Sequence, residues 1–290
     1  MPEITCADGR WTVQWPVMHA EGDLTGRVAV VTGVGRRAGI GYAIARRLAD
    51  RGAALYLTHW RPHDEEQPWG ADDIDAIRRG LSAAPRVVDH SIDFADPAAP
   101  AEVVDAAVAE FGQVDILIAN HARSGGDGTL FDIDAAMLDA HWAVDARSVL
   151  LLTRAFARQF RPDRGEVADR GRVIWMTSGQ HLAPMRGEIA YGSAKSVLAG
   201  MTATVADELI DRGIVLNTVN PGPVDTGFLA PNTTDLPPEF VEQVHCAFPR
   251  GRAGRPDDPA RLIEWLVSDA GRWVVGQVLD SEGGFRRSRF

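Results

Sequence analysis

A chain of 290 residues with 45% apolar content is long enough to bury a sizeable core, and its formal charge of −10 is spread without a basic tract. That balance excludes nucleic acid and anionic membrane surfaces as partners. Two cysteines, Cys6 and Cys246, exclude a disulfide framework, the eight histidines lack metal-ligand spacing, and no apolar run is long enough to span a bilayer, so a metal-free cytoplasmic protein is expected.

Residues 1–24 read as an irregular extension carrying Trp11, Trp15 and Pro16. Two tryptophans are costly to expose, so the segment is expected to lie against the domain or a partner subunit; a disordered tail is the alternative. It has no charged segment followed by an apolar stretch of the secretory type. Regular patterning begins at Val28-Ala29-Val30-Val31, a β-branched run ending in Thr32-Gly33. The run leads through V-G-R-R-A-G-I-G into an amphipathic helix over Tyr42–Arg51. In a strand–turn–helix of this kind, Gly33, Gly35, Gly39 and Gly41, with Ile40 among them, let the backbone approach a pyrophosphate whose charge the helix N-terminus favours. An ordinary tight βα connection uses glycine in the same way.

Further strands are expected at Ala53–Thr58, Arg86–Asp89, Val114–Ala119, Arg172–Met176, Ile214–Val219 and Val278–Asp280. Helices alternate with them at Ala71–Gly80, Ala98–Phe111, Asp132–Phe160 (broken near its start), Ile189–Arg212 and Pro256–Ser268. His59–Gly70 reads as a polar loop, and Gly227–Pro249 as an excursion with one short helix around Glu239–Cys246. Strict alternation with short connections predicts one α/β domain over residues 25–290, a doubly wound parallel sheet of about seven strands with helices on both faces.

The chemistry concentrates between Ser178 and Lys195, in S-G-Q-H-L-A-P-M-R-G-E-I-A-Y-G-S-A-K. Lys195 is the one lysine among 30 Lys+Arg, which suggests a task for a compact ammonium that arginine cannot perform. Tyr191 lies four residues earlier, on the same helical face, and Ser178 lies at the carboxyl end of a buried strand, where open α/β sheets bind ligands. A phenol titrates near ~10, and a cation within about 4–6 Å lowers that value. The sequence therefore predicts that Ser178 holds a substrate oxygen while Tyr191, made more acidic by Lys195, gives or takes its proton.

Four separated features now agree: the glycine turn Thr32–Gly41, Asp93 after the third strand, the Ser178/Tyr191/Lys195 set, and Pro221-Gly222 with Thr226 after the sixth strand. From about Leu24 to Phe285 the chain resembles the short-chain dehydrogenase/reductase superfamily. The R-R insert in the glycine turn and the ending S-E-G-G-F are similar to a bacterial subgroup labelled 3-oxoacyl-(acyl-carrier-protein)-reductase-like. The resemblance implies a cofactor turn of Gly33, Gly39 and Gly41, two residues longer than the usual spacing. It also implies Asp93 at the adenine with Phe94 beside it, Asn120 at a ribose, and Lys195 holding ribose hydroxyls. Tyr191 would be the proton donor and Ser178 the carbonyl ligand, with Pro221, Gly222, Val224 and Thr226 at the carboxamide. A homotetramer or homodimer built on the two long helices is implied as well.

Two departures stand out. His121 and Ala122 replace the Ala-Gly that follows the asparagine in relatives, placing an imidazole near the cofactor; a packed or solvated histidine is the simpler reading. Asp145, in A-V-D-A-R-S, falls where relatives carry a fourth catalytic residue, an asparagine; if ionised, it raises the phenol's pKa. For cofactor choice, the second strand runs into Thr58-His59-Trp60-Arg61 with no acid before Asp64, and Arg36 and Arg37 offer guanidinium groups to a phosphate, so NADP(H) is expected over NAD(H). Gln180, His181, Met185 and Arg186 are expected to line the site for a small-molecule carbonyl or alcohol. Non-redox acid–base chemistry on the same fold, or a cofactor-binding sensor without catalysis, are the competing functions.

Overall fold

The computed structural model describes residues 3–7, 10–14, 23–160, 170–227, 229 and 237–287. Within the extension, β1 (Glu3–Ala7) pairs antiparallel with β2 (Arg10–Gln14). This corrects the irregular reading. Asp8-Gly9, between two β-branched runs, is the sequence signal for a tight hairpin that composition alone passed over. Trp15 and Pro16 lie outside the described residues.

The main sheet has seven parallel strands in the order β5-β4-β3-β6-β7-β8-β9. They are β3 (Val28–Val31), β4 (Ala54–His59), β5 (Val87–Ser91), β6 (Ile116–Ala119), β7 (Gly171–Met176), β8 (Ile214–Asn220) and β9 (Val278–Asp280). Central strands are apolar on both faces because helices cover both. Ala29 and Val31 of β3 face one core, and Val30 faces the other. On the first face lie α1 (Ile40–Asp50) and α9 (Asp257–Val267), packed through Ile44, Leu48, Ile263 and Leu266. The opposite face carries α4 (Ala99–Phe111), α6 (Ser148–Gln159) and α7 (Ile189–Ile210), packed through Val103, Leu152, Phe156 and Leu198. Each such side chain contributes about 1.5–3 kcal/mol when fully buried.

Two readings of the connections need correction. The segment expected to be a polar loop contains α2 (Arg61–Glu66), started by Pro62 in the first turn, where a missing N–H costs nothing. It is followed by α3 (Ile74–Arg79), capped by Asp73. The long helix is interrupted near its middle, not its start. α5 (Ala135–His141) runs into a π-helical turn, Trp142–Arg147, before α6 continues. α8 (Pro238–Cys246) lies where the short helix was expected. Among the described residues no helix is long and apolar enough to cross a membrane.

Strand order reverses between β3 and β6, so the connections leaving their carboxyl ends diverge and open a crevice. The candidate site lies there.

Candidate active site

A cleft of about 310 Å³ opens above the carboxyl ends of β3, β4, β6 and β7. Its floor is the glycine turn. Gly33 has φ +73°, and a Cβ on it would stand 2.8 Å from the His121 Cα; one on Gly41 would stand 2.5 Å from the Gly33 carbonyl oxygen. Only glycine permits β3, α1 and β6 to close this tightly. Asn120 clamps the turn, its Nδ2 donating to the carbonyls of Thr32 at 2.9 Å and Gly33 at 3.2 Å. Gly39 begins α1 without a side-chain cap, leaving the first N–H groups of that helix without a capping side chain.

The expected cofactor residues divide. Gly33, Gly35, Arg36, Gly39, Ile40, Gly41, His59, Trp60, Phe94, Asn120, His121, Ala122, Pro221 and Thr226 line the cleft together with Tyr191 and Lys195. Arg37 and Arg61 do not; Arg37 is exposed beside Asp72, and Arg61 is held by the Asp72 carbonyl and Glu65. Asp93 lies outside the lining, and its Oδ1 accepts the Ala95 N–H at 2.8 Å. Gly222, at φ +69°, and Val224, bridged to Gly254, shape the turn from behind. Trp69, which sequence reasoning passed over, and Asp64, named there only as the first acid after the second strand, also line the cleft. The Arg36 guanidinium donates to the Thr226 carbonyl at 2.6 Å, lies 5.1 Å from the Trp69 ring centre and faces Asp64 at 3.8 Å. Burial raises the Asp64 carboxyl above its ordinary range, with Arg36 opposing.

At the β7 end, Thr177 lines the cleft and Ser178 follows it, with its hydroxyl 3.9 Å from the Met185 sulfur. Gln180 donates to the Thr177 hydroxyl at 3.2 Å. His181 turns to Asp280 at 3.3 Å, and Arg186 is exposed. Gln180, His181 and Met185 therefore stand near Ser178, His181 with its Nδ1 3.2 Å from the Ser178 carbonyl oxygen, while Arg186 makes no such contact among the described residues.

Tyr191 and Lys195 do share a face of α7, with the ammonium 5.7 Å from the phenol ring centre. Lys195 is 1% exposed and donates to the Met176 carbonyl at 3.2 Å. Burial lowers its pKa, and Asp145, 3.7 Å away, works against that shift. Tyr191 departs from expectation. Burial, then the charges of Asp145 and Glu188, push its phenol well above the ordinary value, and only a hydrogen bond with Ser178 opposes them. The lowering anticipated from Lys195 is not seen, and burial is the largest cause of the rise.

The π turn brings Asp145 inside. Its Oδ1 accepts the Arg123 N–H at 2.8 Å, and its Oδ2 meets His141 Nδ1 at 2.9 Å; both side chains are fully buried. The start of α7 is fixed by Asp127, which accepts N–H groups from Ala190 at 2.9 Å and Tyr191 at 2.7 Å. His121 is packed, not solvated. Its Nδ1 lies 2.7 Å from the Thr32 hydroxyl, its Nε2 lies 2.7 Å from that of Ser148, and its ring stacks on Phe94. Ser148 spends its proton on the Val144 carbonyl, so Nε2 carries the imidazole hydrogen.

The site can therefore hold a carbonyl oxygen between a hydroxyl and a protonated phenol, beside a glycine-lined channel with a guanidinium at one side. The chain is similar to known proteins. The family model described as Enoyl-(Acyl carrier protein) reductase matches residues 33–286. An uncharacterized oxidoreductase of Bacillus subtilis, YjdA, is 37% identical over 262 residues, covering 90% of this chain and 97% of its own. The 3-oxoacyl-[acyl-carrier-protein] reductase FabG of Escherichia coli is 31% identical over 263 residues, covering 89% of this chain and 97% of its own. Among solved structures, a short-chain dehydrogenase from Burkholderia cenocepacia in complex with NADP superposes with a TM-score of 0.74 at 31% identity, over 90% of this chain and 98% of that one. The chain belongs to the short-chain dehydrogenase/reductase superfamily, with FabG-like relatives, and is an oxidoreductase of that superfamily.

Proposed function

We propose that the protein is an NADP(H)-dependent ketoreductase that reduces a ketone to a secondary alcohol or runs the reverse reaction. The reading rests on one observation: Tyr191 and Lys195 converge on the cleft beside Ser178, opposite the glycine turn. The residues present fit a dinucleotide. The cradle formed by Gly33 and Gly41 has no room for a Cβ, the uncapped start of α1 suits a pyrophosphate, and Arg36 offers a planar fork to a further phosphate. Asp64 beside Arg36, with Asp72 acting on the same guanidinium, opposes a phosphate there. When bound, the nicotinamide supplies or accepts the hydride.

The protein's own residues perform the rest. Ser178 orients the substrate oxygen. Tyr191, holding its proton at neutral pH, donates it as charge develops on that oxygen, which suits the direction of reduction. Lys195 supplies the nearby positive charge, and Asn120 keeps the glycine turn in register with β6. Residues 25–290 act as one domain, with the hairpin as an extension; a cytoplasmic homotetramer or homodimer fits the same reading. Tyr191→Phe tests it. Turnover followed at 340 nm over a panel of ketones is expected to fall by about 10²–10⁴-fold while the affinity for NADPH stays near that of the parent. Retained turnover rejects the role of Tyr191, and a panel with no absorbance change rejects the redox reading.

A further inference from the structure

His141 has no place in the family resemblance, yet it is as buried as any side chain in the site. Its two ring nitrogens both face acceptors. Nδ1 lies 2.9 Å from Asp145 Oδ2, and Nε2 lies 3.1 Å from the Gly125 carbonyl oxygen. A neutral imidazole has a single N–H, and a carboxylate has none. Two such contacts need one more hydrogen. It resides on Nδ1, as an imidazolium, or on Asp145, as a carboxylic acid. Both descriptions name the same proton on the line between Nδ1 and Oδ2, and both leave the pair without net charge.

Asp127 from the loop after β6 and Glu188 at the head of α7 both act on His141 as negative groups, and the Tyr191 ring meets it edge-on at 6.1 Å. Asp145 is faced by Lys195, by the Arg123 N–H and, further off, by His63. Without the extra proton, a bare carboxylate with no exposure to water would stand 3.7 Å from the one lysine. Asp145 would then consume the charge of Lys195 in a closed ion pair. An asparagine would present no charge at all.

We propose that His141 is a positioning residue that provides Asp145 with a bridging proton, making the pair a neutral unit that leaves the charge of Lys195 available to Tyr191. The spacing makes this possible. His141 closes α5, the π turn follows, and residues four apart meet on the inward side. His141 thus accounts for how this chain carries an aspartate at a buried position beside a lysine.

The kinetic part of the test rests on the ketoreductase reading; the spectroscopic part does not. In the cofactor-free protein labelled with 15N at histidine, His141 is expected to show hydrogen on Nε2 together with a second, downfield and exchange-protected proton bridging Nδ1 and Asp145, both absent in His141→Gln. A wild-type Nε2 with no hydrogen, or no bridging proton at Nδ1, overturns the inference whatever the enzyme's activity. For alcohol oxidation, the limb of kcat/KM that rises with pH reports Tyr191 acting as base. In His141→Gln it is expected to move to higher pH by about one unit, as for a charge within 4–6 Å. Adding Asp145→Asn in that background is expected to return it. An unmoved limb in folded His141→Gln, or no return in the double variant, also overturns the inference. Absence of any dinucleotide-dependent turnover in the wild type counts against the ketoreductase reading instead, and the resonances of the two His141 ring nitrogens then decide alone.

Discussion

His121 stands in the wall of the cleft with its imidazole pushed down to about 3, first by burial and then by the charge of Lys195. In the unfolded chain the same group titrates near ~6.5. Between those two values the unfolded state binds one more proton than the folded state. Stability therefore rises with pH across this window, and is lost as the pH falls from about 6.5 towards about 3. The contribution to the slope is up to about 1.4 kcal/mol per pH unit. His121→Ala leaves a cavity and lowers stability throughout, but it removes the slope. Urea unfolding at pH 4, 5 and 6 checks this, and parallel curves for the two proteins would sink the assignment. At this scale the sequence marked the right residue and left its state open. Whether an imidazole is solvated or buried between Thr32 and Ser148 depends on partners 89 and 27 positions away.

Elements show the same division. The helix over residues 189–210 was legible from its apolar pattern, and the tyrosine–lysine spacing put both groups on one side of it. What aims that helix was not legible. Glu188 makes no side-chain cap; the first N–H groups are taken by Asp127, some sixty residues earlier. Asp127→Ala is expected to cost about 1–2 kcal/mol, as for loss of a helix cap, and to lower turnover because the Tyr191 backbone is no longer held. Thermal unfolding and turnover, measured together, check it. A loss of stability with unchanged turnover would make Asp127 a cap without influence on the chemistry. The π turn is a second case. It packs against α7, as α5 does, and Asp145 within it is fully buried.

Across the whole molecule, Arg36 joins two distant parts of the chain. It leaves the glycine turn, passes between Asp64 and Trp69 of the α2 segment, and reaches the Thr226 carbonyl beyond β8. A dinucleotide in this cleft would bind the folded state alone and stabilise it by mass action. At about 100 times its Kd, NADPH is expected to add about 2.7 kcal/mol, a rise in Tm on the order of 5 °C. NADH at the same concentration should add less, and Arg36→Ala should narrow the difference. A larger rise with NADH would reverse the proposed preference.

The order of strands and helices, the glycine turn and the Ser178–Tyr191–Lys195 spacing were fixed by local pattern. Backbone geometry repeats at intervals of two or nearly four residues and writes itself into the sequence. Contacts between residues far apart in the chain leave no such trace. Only the folded molecule decided that Arg36 enters the cleft while Arg37 stays outside, that burial holds the proton on Tyr191, and that His141 stands behind Asp145. Those outcomes depend on distance and exclusion from water, which arise when separated segments pack together.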